Sequence, residues 1–227
     1  ADGKADIELN STNQAIDFSL SAQGNLDSKV YSWTANLDGR NIDLQALNFS
    51  NTPASIEISA NATAEIGPGK NDIKARIALT DLFFRQLEGT IALSDIDAHL
   101  DASDSLTNLT VTNRDLAANF SSDSSIDSLA SRFSKASSIL SGQMADLCLD
   151  VDTLAKTLPP FSIGIVAGRS NLINDILAPY KMSIRHLSLN AVNDSSLTMD
   201  ANIRRFATAS MRLDSIYLTA RQHADHL

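Results

Sequence analysis

The chain has 227 residues, a length that fits one large domain or two small ones, and with 43% hydrophobic and 20% charged residues it should fold. Its formal net charge of −9 excludes the basic surface that duplex nucleic acid requires, so we expect no nucleic-acid partner. Its single cysteine, Cys148, excludes an internal disulfide, and no apolar run approaches the roughly 20 residues that span a bilayer, so we expect this chain to be soluble as it stands.

Apolar and polar residues alternate from residue 5 to about residue 121, which predicts half-buried strands. Short turn signals separate the apolar runs, so the strands should form an antiparallel meander; one-sided apolar runs exclude a buried parallel βαβ sheet. The runs are 16–22, 31–37, 42–44, 56–62, 73–79, 91–93, 96–100, 109–111 and 116–120. The predicted turns are Gly24–Asn25, Asp38–Gly39, Asn51–Pro53, Gly67–Gly69 and Asn113–Asp115.

The period changes from two to that of a helix in the middle of the chain. An apolar stripe made of Ile126, Leu129, Phe133 and Leu140 predicts an amphipathic helix that ends near Gly142 and packs through these four residues. Two shorter helices are predicted, one at 152–158 with Asp152 as its N-cap and one from Ser170 to Leu177, ended by Pro179. The residues between them, Phe161–Ala167, alternate like a strand.

The period of two returns at 182–184, 187–191, 197–203, 209–213 and 216–218. We therefore predict a mainly β chain with three parts. Residues 1–124 form an antiparallel meander, residues 125–180 form a helical insertion around 126–178 with one or two strands, and residues 181–227 continue the same sheet.

The apolar side of the predicted strands is the candidate site, either as the core of a β-sandwich or as an open groove. Alanines on this side favour the groove, because two tightly packed sheets would have to fill the space they leave. The predicted lining residues are Phe18, Leu20, Trp33, Leu37, Ile56, Ile58, Ile77, Leu79, Leu93, Leu189, Met199, Ile203 and Met211.

Catalytic and metal-binding motifs are weak or missing in this sequence. No nucleophile, Walker or HExxH spacing occurs, so we expect neither an enzyme nor a cofactor. Asp95, Asp97, His99 and Asp101 alternate along one predicted strand, but their spacing does not match a calcium loop and an outward polar face needs no ion. We therefore expect no metal site.

A segment in the second half resembles a known family. Leu149–Asp152 precedes a short helix, Leu158–Phe161 leads into the strand 162–166, and Ala167–Arg169 precedes Asn171–Leu172. Together with Ile184–Leu189, these features resemble the TamB family of AsmA-like envelope proteins, particularly those of Bacteroidota.

The resemblance implies a fold and a function but carries over no catalytic residue. It implies a curled antiparallel sheet, a U-shaped, taco-like trough with an apolar floor, in a periplasmic protein anchored in the inner membrane by a segment absent from this chain. Such proteins conduct phospholipid acyl chains between the two membranes or assist outer-membrane assembly and protein secretion with an Omp85-family partner. Arg169, beside Gly168 and a helix start, is then a candidate contact for an anionic headgroup; a structural salt bridge is the other interpretation.

Two functions are therefore expected from different classes. The first is a segment of a phospholipid-conducting bridge. The second is an adhesin-like or scaffold β-domain that binds protein or glycan. A glycan binder normally presents aromatic platforms, and the one tryptophan and three tyrosines of this chain are a small supply, which favours lipid.

Overall fold

A computed structural model describes residues 3–26, 29–69, 71–87, 89–145, 150–194 and 196–222. Cys148 lies outside these ranges. The chain is mainly β, with 58% of residues in strands and 17% in helices, which confirms the predicted fold class. The strands are β1 (Lys4–Thr12), β2 (Ile16–Asn25), β3 (Tyr31–Asp43), β4 (Ala54–Ile66), β5 (Ile73–Gln86), β6 (Gly89–Leu93), β7 (Ile96–Ala102), β8 (Thr107–Asn113), β9 (Leu116–Ser122), β10 (Phe161–Ala167), β11 (His186–Asn193), β12 (Leu197–Ala207) and β13 (Arg212–Arg221).

All thirteen strands belong to one antiparallel sheet that does not close on itself. The strands follow chain order across the sheet, except that β6 pairs with one half of β5 while β7 pairs with the other half. Strand β10 is hydrogen-bonded between β9 and β11. The helical segments therefore lie in the loops on either side of β10, and the sheet continues without interruption between them.

Two bulges disturb the register at one end of β2–β5. Between Gly39 and Ile42, β3 advances three residues while β4 advances two. Strand β5 also carries one extra residue around Asp81, whose φ is 52°. Each bulge shifts the alternation by one residue. The even-numbered residues Ile42 and Leu82, which follow the bulges, therefore lie on the same face as the odd-numbered residues that precede the bulges. Two predicted turns are wrong, because Gly24 and Asn25 belong to the end of β2, and Asp38 and Gly39 lie inside β3.

In the described part of the chain, three α-helices accompany the sheet: α1 (Ile126–Ala145), α2 (Val151–Thr157) and α3 (Leu172–Leu177). Helix α1 runs past its predicted end at Gly142. The N-cap of α2 is Asp150 and not Asp152; the Oδ1 atom of Asp150 accepts a hydrogen bond from the N–H of Thr153 at 3.0 Å. Hydrogen bonds from the Thr153 hydroxyl and N–H lower the pKa of the Asp150 carboxyl.

Helix α3 begins two residues later than predicted, because Asn171 caps its first turn, and it continues into a 3-10 turn that contains Pro179. Among the described residues, no helix combines the length and the apolar character that crossing a membrane requires. Residues 182–184 form no strand; only an isolated bridge joins Ser183 to Ala207.

The small buried core lies where the helices meet strands β9 and β10. Phe133 of α1 contacts Phe120 of β9 and Phe161 of β10, with ring centroids 6.2 and 5.8 Å apart. Helices α1 and α2 connect β9 to β10, whereas α3 connects β10 to β11. Because successive strands run in opposite directions, the α1–α2 segment and α3 lie at opposite ends of the strands.

Buried asparagines fasten the helical segments to the sheet. Asn113 Nδ2 donates to the carbonyls of Ser94 and Asp95 at 2.9 and 2.6 Å, and its Oδ1 accepts from the N–H of Leu172 at 2.6 Å. Asn193 Nδ2 likewise donates to the carbonyl of Pro159 at 2.9 Å. Each side chain forms hydrogen bonds with backbone groups that have no partner within a helix or a sheet.

We predict that Asn113→Ala destabilises the protein by about 2–4 kcal/mol, because the half-buried N–H of Leu172 and two carbonyls lose their partner at once. Urea unfolding followed by circular dichroism measures the difference. Asn119→Ala is the matched control, since Asn119 is exposed on the adjacent strand. Equal stability of the two variants would show that water replaces the Asn113 contacts.

Candidate functional site

The strand register places one apolar residue from each of twelve strands in a single line across the sheet, here called the central apolar row. Since side chains two residues apart point to the same face, all of them share one side. The row is Ile7, Ala22, Ala35, Ala62, Ile77, Ala98, Val111, Ala118, Ile165, Leu189, Ala201 and Leu218.

A flanking row lies on each side of the central apolar row, on the same face. The first flanking row is Leu9, Leu20, Leu37, Ala60, Leu79, Ile96, Leu116, Ala167, Leu187, Ile203 and Ile216. The second flanking row is Ala5, Gly24, Trp33, Ala64, Ala75, Leu100, Leu109, Phe120, Ile163, Ala191, Met199 and Ala220. Asn113 stands beside Leu116 in the first flanking row, and its side chain is already hydrogen-bonded. These three rows are the apolar face.

The opposite side of the sheet is polar and carries its own ion pairs. Arg76 Nη2 lies 3.2 Å from Asp97 Oδ1. On β12 and β13, Arg221 Nη2 lies 3.4 Å from Asp200 Oδ1. Such exposed pairs contribute little to stability, and they mark this side as the solvated one.

The apolar face is largely uncovered. A compact chain of 24.3 kDa exposes about 10,000 Å² by the usual size scaling, whereas this one exposes 14464 Å². All the described strands belong to one sheet, so no second sheet covers the face as a sandwich would. The described helices lie in the connections between β9, β10 and β11, and β7 and β8 separate these strands from β1–β5 in the sheet. Ile7 and Ile77 are each 42% exposed and Leu9 is 51% exposed.

Most of the predicted lining residues lie on this face, directly in a row or on its continuation beyond the bulges. They are Phe18, Leu20, Trp33, Leu37, Ile56, Ile58, Ile77, Leu79, Leu93, Leu189, Met199 and Ile203. Met211 does not lie there. It precedes β13 in the turn after β12, where its N–H donates to Thr208 Oγ1 at 3.0 Å.

Trp33 is the only tryptophan of the chain and belongs to the second flanking row. Its indole ring lies against Gly24, because a Cβ atom added to Gly24 would be only 2.8 Å from three ring carbons. Any larger residue at position 24 would displace the ring. The glycine thus lets the largest side chain of the face lie close to the backbone of the next strand.

Helix α1 covers one end of the apolar face through Phe133. Of the residues predicted to pack, Leu129 is buried, whereas Ile126 and Phe133 are half-buried. Leu140 is 39% exposed, so the packing ends before it. Ala136 is buried in its place, one turn after Phe133.

The Arg169 backbone is held by the neighbouring turn, since its N–H donates to Asp115 Oδ2 at 3.2 Å. Its guanidinium group forms no ion pair with the described residues. The first N–H groups of α3 already donate to side chains, Leu172 to Asn113 and Ile173 to Asn171. An anion beside Arg169 would therefore be held by guanidinium groups and not by the start of the helix.

The alternating acidic residues of β7 do not converge on a point. Asp97 pairs with Arg76, as described above, and the described residues contain no group of three or more metal-ligating side chains. The geometry of this strand supplies an outer polar surface.

The alanines and Val111 of the central apolar row lie in the predicted apolar runs but are not among the predicted lining residues. Each follows the strict period of two, but small residues on a strand carry a weak pattern, and only the register shows that they line up. Arg185 and Arg205 are not predicted as site residues from the sequence, because Arg185 directly precedes β11 and Arg205 lies in β12, and only the order of the strands brings them near Arg169.

Comparisons with protein-family models, curated proteins and solved structures found no match to this chain.

Proposed function

We propose that the apolar face binds phospholipid acyl chains and that the chain is a segment of a bridge for phospholipid between the membranes of a bacterial envelope. The observation that carries the proposal is the central apolar row, which crosses twelve strands with no polar residue; in the described part of the chain, no second sheet covers it. A monomeric soluble protein rarely exposes so much contiguous apolar surface without a ligand for it.

The dimensions of the face suit extended hydrocarbon. Twelve strands spaced about 4.8 Å apart give a row about 53 Å long, compared with about 30 Å for the hydrocarbon core of a bilayer. Each methylene removed from water contributes about 0.8 kcal/mol, so an acyl chain lying on the row gains several kcal/mol along its length. Acyl chains can therefore lie along the row one after another.

The resemblance to the TamB family adds a cellular location and partners to the proposal. A periplasmic location, an inner-membrane anchor in another part of the protein and an Omp85-family partner are parts of the same proposal. The alternative, a scaffold or adhesin-like domain, would use the polar side of the sheet. The polar side offers only scattered ion pairs and few aromatic residues as contacts for a protein or a glycan. Lipid binding is therefore the better account of the structure.

We predict that phospholipids with brominated acyl chains quench the fluorescence of Trp33, because the indole lies on the apolar face. Quenching requires near contact between bromine and ring, so it reports where the hydrocarbon sits. The measurement is a titration of the full chain with brominated and unbrominated phosphatidylglycerol, followed at the tryptophan emission maximum.

The matched control moves the single tryptophan to the polar side. In the double variant Trp33→Phe, Tyr217→Trp, the indole replaces a side chain that is 68% exposed on β13 and belongs to the polar side. We expect this variant to show little quenching. Equal quenching of the two proteins would mean that lipid adsorbs without preference for a face, and the proposal would fail.

A further inference from the structure

The first flanking row continues into charged residues at one end of the sheet. On β10–β13 this row consists of Ala167, Leu187, Ile203 and Ile216. Two residues further on, at the same end of these strands, stand Arg169, Arg185, Arg205 and Asp214. The pairing of β11 and β12 extends this far, because the N–H of Arg185 donates to the carbonyl of Arg204 at 3.1 Å. The apolar face therefore ends at a cationic border.

The arginines of this border line an open pocket of about 700 Å³. Arg212 joins Arg169, Arg185 and Arg205 in its wall. None of the four forms an ion pair with a described residue. The chain has a net charge of −9, yet four arginines around one pocket form no ion pair with the described residues. This cluster of positive charge favours the binding of an anionic ligand.

The charges in the pocket act on one another. The nearby guanidinium groups of Arg205 and Arg169 lower the pKa of Arg185, because like charges disfavour its protonated form. Of the two aspartates in the wall, Asp175 is engaged by Ser94, whose N–H donates to its Oδ2 at 3.0 Å. Asp214 is the remaining carboxylate, so positive charge predominates.

A bound anion would relieve this repulsion. Guanidinium groups bind phosphate oxygens through charge-assisted and often bidentate hydrogen bonds, and they do so more readily than ammonium groups. The apolar residues directly beside the pocket select for a phosphate that is attached to hydrocarbon. The ligand that fits both features is an amphiphile with a phosphate headgroup.

We propose that Arg169, Arg185 and Arg205 bind the phosphate of a phospholipid headgroup whose acyl chains lie on the apolar face. This assignment rests on the proposed function and adds the headgroup chemistry to it. The three guanidinium groups hold the headgroup at the border of the face, while the hydrocarbon extends over Leu187 and Ile203.

The test separates the phosphate from the hydrocarbon by quenching with two brominated lipids, read from a tryptophan placed beside the arginines. Trp33 itself lies on β3, seven strands from β11, so the double variant Trp33→Phe, Ile216→Trp serves as the reference protein, with an indole in the first flanking row next to Ile203. Phosphatidylglycerol carries the phosphate, and diacylglycerol lacks it. We expect Arg185→Gln to weaken the binding of phosphatidylglycerol about tenfold, because a hydrogen-bonded charge is lost. The binding of diacylglycerol should not change. Lys74→Gln is the matched control, since it removes the same charge from the polar side and should leave both affinities unchanged.

Inorganic phosphate distinguishes a headgroup site from a site for a free anion. We expect phosphate to compete only weakly with phosphatidylglycerol for the wild-type protein. If Arg185→Gln abolished the binding of inorganic phosphate but left phosphatidylglycerol unaffected, the arginines would serve a free anion, and the headgroup assignment would be overturned. Arg169→Gln, which changes a loop residue after β10, provides the same test should Arg185→Gln fold poorly.

The remaining outcomes are also decisive. Equal weakening of both lipids by Arg185→Gln would mean that Arg185 shapes the fold, and would overturn its role in phosphate binding. Unchanged affinities in both arginine variants would overturn the cationic site while the proposed function stands. Absence of quenching in the wild-type protein by either lipid would remove the proposed function, and the headgroup assignment with it.

Discussion

Replacing Ile77 by arginine is expected to lower phospholipid binding at least tenfold without unfolding the protein. Ile77 stands in the middle of the central apolar row and is already 42% exposed, so the new side chain meets water and not a packed core. A lipid chain crossing this point would have to bury an unpaired charge, which costs far more than a methylene contact contributes. Native mass spectrometry of the protein with retained phosphatidylglycerol measures the loss.

The matched control is Thr80→Arg, which adds the same charge to the same strand on its polar side. Thr80 is exposed and pairs with Ser59 across β4. Asp97 is less suitable as a control because it pairs with Arg76. In cells that rely on one copy of the full-length protein, Ile77→Arg should also impair outer-membrane lipid delivery. If both variants retained as much lipid as the wild-type protein, the proposed passage of lipid along the central apolar row would be refuted. The scaffold interpretation would then gain support.

Replacing Phe133 by aspartate is expected to destabilise the protein by about 3 kcal/mol, since a large side chain is lost and a charge is placed in an apolar contact. Phe133 is the one aromatic residue of α1 that joins the rings of Phe120 and Phe161. For a chain of this size, such a change lowers the melting temperature by roughly 6–12 °C. Thermal unfolding followed by circular dichroism measures it.

Ser134→Asp adds the same charge to the neighbouring position, where the side chain is exposed. Its melting temperature should stay within a degree or two of wild type, because surface substitutions rarely exceed about 0.5 kcal/mol. An unchanged melting temperature for Phe133→Asp as well would mean that α1 is not held by its aromatic contacts. Faster lipid exchange with an intact sheet would instead identify α1 as a removable lid.

The antiparallel sheet could be predicted from the sequence because its strands are one-sided. A period of two is unambiguous where every second residue is Ser, Asn, Asp or Thr, as in Ile16–Ala22. The prediction failed where the phase of the pattern changed. At Gly39 the bulge in β3 moves the apolar residues from odd to even positions, and the resulting break, next to an Asp-Gly pair, has the pattern of a turn.

The candidate site could be predicted only in part. Large apolar residues such as Leu20 and Ile77 signal a face by themselves, whereas Met211 satisfied the same pattern and lies in a turn. The cationic border depends on four segments that meet through the order of the strands, and no local pattern contains that information. The capping of α2 by Asp150 in place of Asp152 shows the same limit at short range, since two aspartates stood close enough to compete.

Half of the residues in the central apolar row are alanines, and these alternate irregularly with larger side chains across the sheet. Alanine has no side-chain rotamers to lose, so a ligand that moves over it costs no side-chain entropy and displaces no side chain. Such a surface is shallow, with few deep pockets that could hold one particular carbon of a hydrocarbon chain. Under the proposed function, the energy barriers to movement along the row would be low. The alanines would then set how fast an acyl chain slides rather than how tightly it binds.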